Sequence, residues 1–487
     1  MAARKPSRRV ALVVLAAGQG KRMKSARPKV LHPVCGRPSL WHVLKAGVAA
    51  RPATVVVVVS RHREEVESAV KSWGLRPAPR FVDQGEPLGT GHAVLVAEDA
   101  IGRADDVLVM PGDDPLITPS DVRAVLSTHR RTRAAATIAT TVLDDPSGYG
   151  RVIRRGHDLE EIVQEADATP EVRQIREVST LVYAFRREEL FQALPLVGRD
   201  NRLREFYLPD VIAILKDKGE RVAAVELDLG GGLGLNTRRG LARVSSILRG
   251  RIVEEHMTNG VTFVDPDTAY VDVEVRIGAD TVIRPGTYLE GGTRIGSACT
   301  IGPWSRIVDS TVGDESEVVF SHVRGSRIGP KSTVGPFANL RPGTVLEEGA
   351  KAGTFVEIKA SRVGKGSKVP HLAYVGDAVI GRGVNLGAGT VTVNYDGFQK
   401  HRTVIGDEAH IGSDTMLVAP VKVGKRAWTG AGSTITKNVP RGALAVERTE
   451  QRIVRGYDER KRARAAGGRS NPKDEGPEGR RGGRSRG

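Results

Sequence analysis

A repeat of six residues constrains this 487-residue chain more than any other feature of its sequence. An aliphatic side chain recurs at every sixth position, often with glycine directly after it. The repeat runs through Ile277, Ile283, Leu289, Ile295, Ile301 and Ile307, then through Ile328, Val334, Leu340, Leu346, Ala352 and Ile358, and again through Ile405, Ile411, Leu417 and Val423. Six is not a helical period, whereas a triangular parallel β-helix stacks such residues inside its coil. We therefore predict a parallel β-helix over residues 261–457.

The front half follows a different pattern, in which β-branched runs alternate with longer segments that suit helices. Apolar runs of this kind begin at Val10, Val55 and Val107. Such a run suits a strand that is buried on both faces, so we predict a mostly parallel α/β sheet covered by helices over residues 10–240. From Leu241 to Met257 apolar residues recur with the spacing of one helical face, which predicts a linker helix over residues 241–260.

Much of the formal net charge of +17 lies at the two ends of the chain. Residues 1–9 contain basic residues and no acid, and residues 458–487 are rich in Arg, Gly, Pro and Glu with almost no apolar side chain. We predict that both are disordered tails, because they bury too little apolar surface to offset the entropy of ordering. This composition is typical of a solubilising segment, and nucleic-acid binding is the less favoured alternative.

Cysteine usage and hydropathy indicate a cytoplasmic protein without a membrane partner. Cys35 and Cys299 are far apart in the sequence, and they have neither a metal-binding spacing nor the pattern of a disulfide framework. The apolar run from Val10 to Ala17 is too short to span a membrane, and no convincing signal-peptide cleavage region follows it.

A glycine-rich turn follows the first predicted strand. Its sequence is Leu15-Ala16-Ala17-Gly18-Gln19-Gly20-Lys21-Arg22-Met23. Small residues let backbone amides approach a phosphate, and basic residues neutralise it. The turn matches neither a Walker A loop nor the Gly-x-Gly-x-x-Gly pattern, so by itself it is equally compatible with a structural role.

Together with further strings, this turn resembles the sugar-nucleotide pyrophosphorylases, which share a Rossmann-like α/β fold. The further strings are Pro28-Lys29, Gln84, Leu88-Gly89-Thr90-Gly91-His92-Ala93 and Gly112-Asp113. With a β-helix behind this domain, residues 10–457 are most similar to the bifunctional N-acetylglucosamine-1-phosphate uridylyltransferase/glucosamine-1-phosphate acetyltransferase family. The resemblance implies a left-handed β-helix that acetylates glucosamine-1-phosphate with acetyl-CoA. The front domain would then transfer a uridylyl group from UTP, giving UDP-N-acetylglucosamine for peptidoglycan and lipopolysaccharide precursors.

The resemblance assigns the front site residue by residue. It implies that UTP and UDP-N-acetylglucosamine are bound by Leu15, Ala16, Ala17, Gly18, Lys29, Gln84, Gly89, Thr90, Gly150, Gln164, Ser179 and Asn236. Asp113 and Asn236 would hold Mg²⁺, since their oxygens suit a hard cation that bridges phosphates. For Asp113 the alternative is a turn residue beside Asp114 and Pro115. Lys29 would stabilise the charge that develops during transfer.

The sequence departs from the family pattern on the sugar side of this site. Gln164 stands where the family usually has Glu, and Ser179-Thr180-Leu181 stands where it usually has Asn followed by an x-Gly pair. Gln164 lacks a carboxylate that accepts sugar hydroxyls, and Ser179 is a shorter hydrogen-bonding residue than Asn. These departures leave open a slower or altered uridylyltransferase.

The rear half matches the acetyltransferase part of the family through a dense series of strings. They are Leu340-Arg341-Pro342-Gly343, Phe355-Val356-Glu357-Ile358-Lys359, Gly364-Lys365-Gly366-Ser367-Lys368, His371-Leu372-Ala373-Tyr374, Asn385-Leu386-Gly387-Ala388-Gly389-Thr390 and Asn394-Tyr395-Asp396-Gly397. The last string lies where the six-residue register is lost, near residues 391–404, and we predict an inserted loop there. The resemblance implies that glucosamine-1-phosphate is bound by Arg341, Lys359, Tyr374 and Asn385. It also implies that acetyl-CoA is bound by Ala388, Asn394, Tyr395, Ser413, Ala431 and Arg448.

His371 is the expected catalytic base. When an amine attacks a thioester, a base must remove the ammonium proton near neutral pH, and histidine suits this role. The family carries its base at this position, and the alternative is a polar turn residue of the β-helix. Left-handed β-helix acyltransferases bind their cofactor in clefts between the parallel coils of a trimer, so the resemblance also implies a homotrimer.

Two other functions are compatible with parts of the sequence. One is a nucleotidyltransferase for another sugar phosphate with a structural β-helix, which Gln164 and Ser179 favour and the set around His371 disfavours. The other is a non-catalytic scaffold with a basic tail that binds nucleic acid, which the presence of Lys29, Asp113 and His371 disfavours.

Overall fold

The front domain is an α/β domain built on one mostly parallel sheet, as predicted. The structure, a computed structural model, describes residues 8–156, 158–229 and 234–466. The strands of the front domain are β1 (Val10–Leu15), β2 (Pro33–Val34), β3 (Arg37–Pro38), β4 (Thr54–Val59), β5 (Arg80–Asp83), β6 (Asp106–Pro111), β7 (Ala136–Val142), β8 (Arg151–Arg155), β9 (Asp158–Val163), β10 (Glu177–Arg186) and β11 (Val222–Glu226). The main sheet has the order β11-β7-β10-β6-β1-β4-β5. Its antiparallel member is β10, and β8 and β9 extend from β10 as an antiparallel pair.

Helices cover both faces of this sheet. They are α1 (Ser39–Val48), α2 (Arg63–Ser72), α3 (Thr90–Leu95), α4 (Glu98–Ile101), α5 (Pro119–Thr132), α6 (Pro170–Arg173), α7 (Arg187–Ala193) and α8 (Asp210–Asp217). Alternate residues of β1 enter different core clusters, with Leu12 and Val14 in one and Ala11 and Val13 in the other. The valine-rich runs are therefore buried on both faces, which is why they lack polar alternation.

The rear domain is a left-handed β-helix with three faces, which confirms the prediction from the six-residue repeat. Face 1 consists of Thr262–Phe263, Val282–Ile283, Thr300–Ile301, Glu317–Val318, Thr333–Val334, Lys351–Thr354, Lys368–His371, Asn385–Leu386, His410–Ile411, Trp428–Thr429 and Leu444–Ala445. Face 2 consists of Tyr270–Val271, Tyr288–Glu290, Arg306–Val308, His322–Arg324, Asn339–Leu340, Glu357–Lys359, Tyr374–Gly376, Val391–Val393, Met416–Val418 and Thr434–Ile435. Face 3 consists of Arg276–Ile277, Arg294–Ile295, Thr311–Val312, Arg327–Ile328, Val345–Leu346, Arg362–Val363, Ala378–Ile380, Thr403–Ile405 and Val421–Val423.

The aliphatic positions of the repeat point into the coil and stack on one another. Ile283 pairs with Ile301 on face 1, and Ile328 pairs with Leu346 on face 3. The glycines that follow these positions allow the coils to approach closely, since a Cβ on Gly364 would lie 2.3 Å from the carbonyl oxygen of Gly381. The register breaks between Val391–Val393 and Thr403–Ile405, where the predicted loop is inserted.

A long helix and a hairpin join the two domains. Helix α9 (Arg238–Thr258) begins three residues before the predicted linker and ends two residues before its predicted end. The turn between β2 and β3 docks on the first coil, because the amide of Val273 donates to the carbonyl of Cys35 (3.1 Å). The guanidinium of Arg249 in α9 lies 4.5 Å from the ring centroid of Tyr270.

The chain ends differ from the predicted tails in the residues that the structure describes. The guanidinium Nε of Arg8 donates to the buried carboxylate of Asp106 (3.0 Å), because a buried charge requires a partner. Residues Tyr457–Ala465 form an exposed helix, α10, with an ion pair between Arg462 and Asp458. The other tail residues, 1–7 and 467–487, lie outside the described part. In that part, we find no helix with the length and hydropathy of a transmembrane span.

Burial in the coil predicts that substitutions at two adjacent residues change the free energy of unfolding by very different amounts. Ile328 is buried inside the β-helix, and Arg327 is exposed outside it. We expect Ile328→Ala to lower the free energy of unfolding by about 2–5 kcal/mol, because it leaves a cavity in a stacked core. We expect Arg327→Ala to change it by about 0.5 kcal/mol or less. Urea denaturation measures both, and equal losses would contradict the predicted inward and outward alternation.

Candidate active sites

The front site is a cavity of about 250 Å³ at the carboxyl ends of the central strands. Open α/β sheets bind their ligands at this edge. The cavity brings together these residues singled out in the sequence: Leu15, Gly18, Lys29, Thr90, Asp113, Gly150, Gln164, Ser179 and Asn236. An adjoining cavity of about 390 Å³ is lined by others, including Ala17, Gln84 and Gly89. Ala16 lines neither of these two cavities, and its buried side chain packs in the core.

The glycine-rich turn is held by the ends of three strands. The amide of Gly112 donates to the carbonyl of Leu15 (2.9 Å), and the hydroxyl of Ser60 donates to the carbonyl of Ala17 (2.8 Å). Space for a ligand lies beside the turn, because a Cβ on Gly18 would meet no atom within 4 Å. The turn therefore presents its backbone to the cavity.

Lys29, Asp113 and Asn236 meet in the cavity although they are far apart in the sequence. The ammonium of Lys29 forms an ion pair with the carboxylate of Asp113 and donates to Oδ1 of Asn236 (3.1 Å). The amide of Leu235 donates to the carbonyl of Asp113 (3.0 Å), which ties the Asn236 loop to the end of β6. One small cation can therefore contact both side-chain oxygens.

Asp114 contributes no second charge at this point. It is fully buried, and burial together with the nearby Asp113 raises the pKa of its carboxyl to about 8. The group is therefore mainly protonated near neutral pH, and the amide of Leu116 donates to it (3.4 Å). Asp113 faces the cavity without a competing carboxylate beside it.

The adjoining cavity is shaped by Gln84, Gly89 and Thr90. The Gln84 amide donates to the carbonyl of Gly89 (2.9 Å), and the Thr90 hydroxyl accepts from the amide of Leu208 (3.0 Å). Gly89 has φ of 118°, and a Cβ there would lie 2.5 Å from the carbonyl oxygen of Phe206. Only glycine at this position allows the backbone of Phe206 to approach so closely. Sequence reasoning missed Glu205, which also lines this cavity and which no motif marked.

The sugar side contains the residues that depart from the family pattern. The Gln164 amide lies close to Gly150, 2.9 Å from the position that a Cβ would take. The hydroxyl of Ser179 is bonded to the hydroxyl of buried Tyr183 (2.7 Å). Burial raises the pKa of Tyr183, so the phenol stays neutral. The amide of Leu181 also donates to the Ser179 hydroxyl (3.4 Å), so two hydrogen bonds of this hydroxyl are made within the protein.

In the rear domain, neighbouring coils place His371, Tyr374, Lys359 and Arg341 along face 2, with His371 at its corner with face 1 and with Lys359 and Arg341 at the opposite end of its strands. Lys359 pairs in register with Gly376, and the amide of Arg341 donates to the carbonyl of Ile358 (2.8 Å), which places Arg341 one coil below Lys359. The guanidinium of Arg341 also donates to Glu357 (2.8 Å). His371 ends its strand on face 1, and Tyr374 begins the next strand on face 2.

The inserted loop leaves the end of face 2 after Val393 and supplies a further basic group beside Lys359. Tyr395 and Lys400 form a bridge across the loop. The nearby ammonium of Lys359 lowers the pKa of Lys400. Sequence reasoning missed Lys400 because no repeat position marks it. It also missed Asp377, whose carboxylate accepts from the amide of Asn394 (2.6 Å).

Three of the residues assigned to acetyl-CoA form a column along the corner between faces 1 and 2, whereas Asn394 and Tyr395 follow the end of a face 2 strand. Ala388, Ser413 and Ala431 occupy corresponding positions on successive coils, joined by hydrogen bonds from Asp414 to Ala388 (2.6 Å) and from Gly432 to Ser413 (2.8 Å). The guanidinium of Arg448 donates to the carbonyl of Ala431 (3.1 Å). Asn385 lies on face 1 beside this column, and Tyr395 projects from the loop with its side chain more than half exposed.

Comparison with known proteins agrees with both halves of this arrangement. Residues 12–209 match the family model described as the MobA-like NTP transferase domain, and residues 274–309 match that of the bacterial transferase hexapeptide repeats. The chain is 48% identical to the bifunctional protein GlmU of Carboxydothermus hydrogenoformans over 90% of this chain and 98% of that protein. It is 47% identical to the protein of the same name from Listeria monocytogenes EGD-e, over 91% of this chain and 97% of that protein.

These identities extend through both domains and the linker helix between them. A nucleotidyltransferase for another sugar with a merely structural β-helix is therefore not favoured. The chain belongs to the GlmU family, the bifunctional N-acetylglucosamine-1-phosphate uridylyltransferases/glucosamine-1-phosphate acetyltransferases that its motifs resemble.

Proposed function

We propose that the protein makes UDP-N-acetylglucosamine in the cytoplasm, with acetyl transfer on the β-helix and uridylyl transfer in the front domain. The observation that carries this proposal is the set of polar residues along face 2 on neighbouring coils, because a structural coil does not require His371, Arg341 and Lys359 together. The thiols of Cys35 and Cys299 are free, which suits a reducing compartment.

In the acetyl step, the imidazole of His371 accepts a proton from the ammonium of glucosamine-1-phosphate. The free amine attacks the thioester carbonyl of acetyl-CoA, so that a C–N bond forms, the C–S bond breaks and CoA leaves as a thiolate that takes up a proton. Arg341 binds the sugar phosphate through a fork of donors, and Lys359 binds it as a point charge. Tyr374 and Asn385 orient the sugar. Acetyl-CoA lies along the column that begins at Ala388.

In the uridylyl step, a phosphate oxygen of N-acetylglucosamine-1-phosphate attacks the α-phosphorus of UTP, and the bond to the leaving pyrophosphate breaks. The turn at residues 15–18 binds the phosphates of the nucleotide through its backbone, while Gln84 and Thr90 contact the uracil. Gly150, Gln164 and Ser179 hold the sugar. Preorganised charge at the reacting phosphates supplies most of the catalysis in such a reaction, and Lys29 provides it here.

Asp113 and Asn236 fit a Mg²⁺ site. Both side-chain oxygens contact the Lys29 ammonium, and oxygen is the preferred ligand of this ion. The described residues contain no group of three or more His, Cys, Asp or Glu side chains that could hold a metal, so phosphate oxygens of the substrate would complete the set. When bound there, the ion would neutralise charge on those phosphates.

An exposed apolar ladder supports a homotrimer. Trp304, Phe320, Phe337, Phe355 and Leu372 stand on successive coils at the corner between faces 1 and 2. Phe337 and Phe355 stack at 5.4 Å and are each more than half exposed. An apolar strip of this kind marks an interaction surface. It ends beside His371, where the column of small residues begins, so parallel packing of copies would cover the ladder and enclose the acetyl-CoA column.

His371→Ala separates the two activities. We expect it to slow release of CoA thiol from acetyl-CoA and glucosamine-1-phosphate by about 10²- to 10⁴-fold, because a positioned base is lost. Release of pyrophosphate from UTP and N-acetylglucosamine-1-phosphate should change less than about twofold, because the front cavity is intact. Assays of thiol and pyrophosphate measure both, with His322→Ala on another coil as the control. Unchanged thiol release would exclude His371 as the base.

Lys29 should compete with a metal ion for Asp113 when no nucleotide is bound. We expect Lys29→Met to raise the affinity for Mn²⁺ about tenfold, because a positive charge next to the ligands opposes the binding of a second cation. Electron paramagnetic resonance of free Mn²⁺ measures this without catalysis. Lys21→Met, in the glycine-rich turn, should leave the affinity unchanged, and Asp113→Asn should abolish binding. A lower affinity in Lys29→Met would show that these residues do not share one cation position.

Phe337→Asp tests the apolar ladder. We expect light scattering after size exclusion to change from the mass of three chains to that of one, because a carboxylate on the ladder opposes burial. Acetyl transfer should fall with it, while pyrophosphate release persists. Val379→Asp, on face 3 opposite this corner, is the matched control and should leave the mass unchanged. A stable trimer of Phe337→Asp with full acetyl transfer would place the interface elsewhere.

A further inference from the structure

One branched apolar residue in the front cavity adopts a backbone conformation that glycine adopts more easily. Leu181 has φ of 60° and lies where the pairing of β10 with β7 shifts. Ser179 pairs with Thr140 and Tyr183 with Ile138, so residues 180–182 form a bulge opposite Ala139. A bulky side chain in the left-handed region is strained, and such strain clusters at functional sites.

Hydrogen bonds within the protein fix this bulge. The Thr180 hydroxyl donates to the carbonyl of Ala139 (2.9 Å), and the amide of Val182 donates to the Thr180 hydroxyl (3.3 Å). The hydroxyls of Ser179 and Tyr183 bond to each other across the bulge (2.7 Å). Bulges beside active sites change the direction in which a side chain points. The surroundings thus hold Leu181 in place despite its strained backbone.

The position of Leu181 in the cavity indicates what it contacts. It lines the same cavity as Gly150 and Gln164, which are assigned to the sugar. Lys29 and Asp113, in the same cavity, are assigned to the phosphates and the metal ion. Its partly buried side chain also packs against the core. The other lining residues assigned to the sugar, Gly150, Gln164 and Ser179, have no aliphatic side chain, and the apolar residues Leu15, Val30 and Pro111 of the wall lie on β1, next to Lys29 and on β6. Leu181 therefore adds an aliphatic surface to an otherwise polar end.

We propose that Leu181 is a specificity-determining residue that packs against the methyl group of the sugar's 2-acylamino substituent. This proposal rests on the proposed function of the front domain. The acyl methyl is the most apolar group of N-acetylglucosamine-1-phosphate, so it is the group that an aliphatic surface stabilises. An ammonium at the same carbon of glucosamine-1-phosphate would lose water there without gaining a partner. Leu181 thereby strengthens the preference of the front domain for the acetylated sugar phosphate.

The test compares two sugar phosphates in the presence of UTP and Mg²⁺. We measure kcat/KM for pyrophosphate release with N-acetylglucosamine-1-phosphate and with glucosamine-1-phosphate in the wild type, Leu181→Ala and Leu181→Gly. The wild type should favour the acetylated substrate, and both variants should lower this preference about tenfold, mainly by losing rate with the acetylated substrate. Because alanine keeps the strain and glycine removes it, similar losses in both identify the lost contact as the cause.

A matched control separates the contact from a general effect of the backbone. Arg51 has φ of 55° at the exposed end of α1, away from the cavity, and Arg51→Gly should leave the preference unchanged. Thermal unfolding shows that each variant is folded. An unchanged preference in both Leu181 variants overturns the proposal.

Failure of the proposed function gives a different result. In that case the wild type releases pyrophosphate with neither sugar phosphate. Calorimetry then measures the dissociation constants of N-acetylglucosamine-1-phosphate and glucosamine-1-phosphate with the same proteins. If the ratio of these two constants is the same in the wild type and in both Leu181 variants, the proposed role of Leu181 is also overturned.

Discussion

The stacking of identical aliphatic positions inside the β-helix is the constraint on which the rear half depends. Each coil buries little by itself, so its inward residues gain apolar contacts only from the coil above and the coil below. This one-dimensional packing fixes the rise from coil to coil. It also fixes the distance between outward-pointing side chains on successive coils. Arg341 and Lys359 lie beside each other because the buried Leu340 and Ile358 pair in register.

The corner between faces 1 and 2 changes character along the axis. In the earlier coils this corner carries the ladder from Trp304 to Leu372, and in the later coils it carries small residues from Ala388 to Ala431. His371 lies at the boundary. The same left-handed turn position carries an aromatic residue in some coils and glycine in others. One regular corner can therefore provide both an apolar strip that another copy covers and a cleft that admits a cofactor.

The front domain uses a different physical principle. Its site is assembled where loops leave the carboxyl ends of buried parallel strands, and no repeat specifies those loops. The ion pair of Lys29 with Asp113 joins the loop after β1 to the end of β6. The turn after β2 extends from the same loop region to the first coil of the β-helix. Burial of Asp114 restricts the negative charge at this point to one carboxylate.

The sequence by itself determined the two architectures, since a six-residue period and buried valine runs are local patterns that only certain folds satisfy. It also marked most of the candidate site residues through their motifs. The tertiary structure alone decided that Asn236 meets Lys29, that Lys400 of the inserted loop reaches Lys359, and that Ala16 faces the core. It likewise revealed the left-handed backbone of Leu181. Periodicity reports which face of its own element a residue occupies, whereas contacts between distant loops depend on how the elements pack, and no local pattern records that packing.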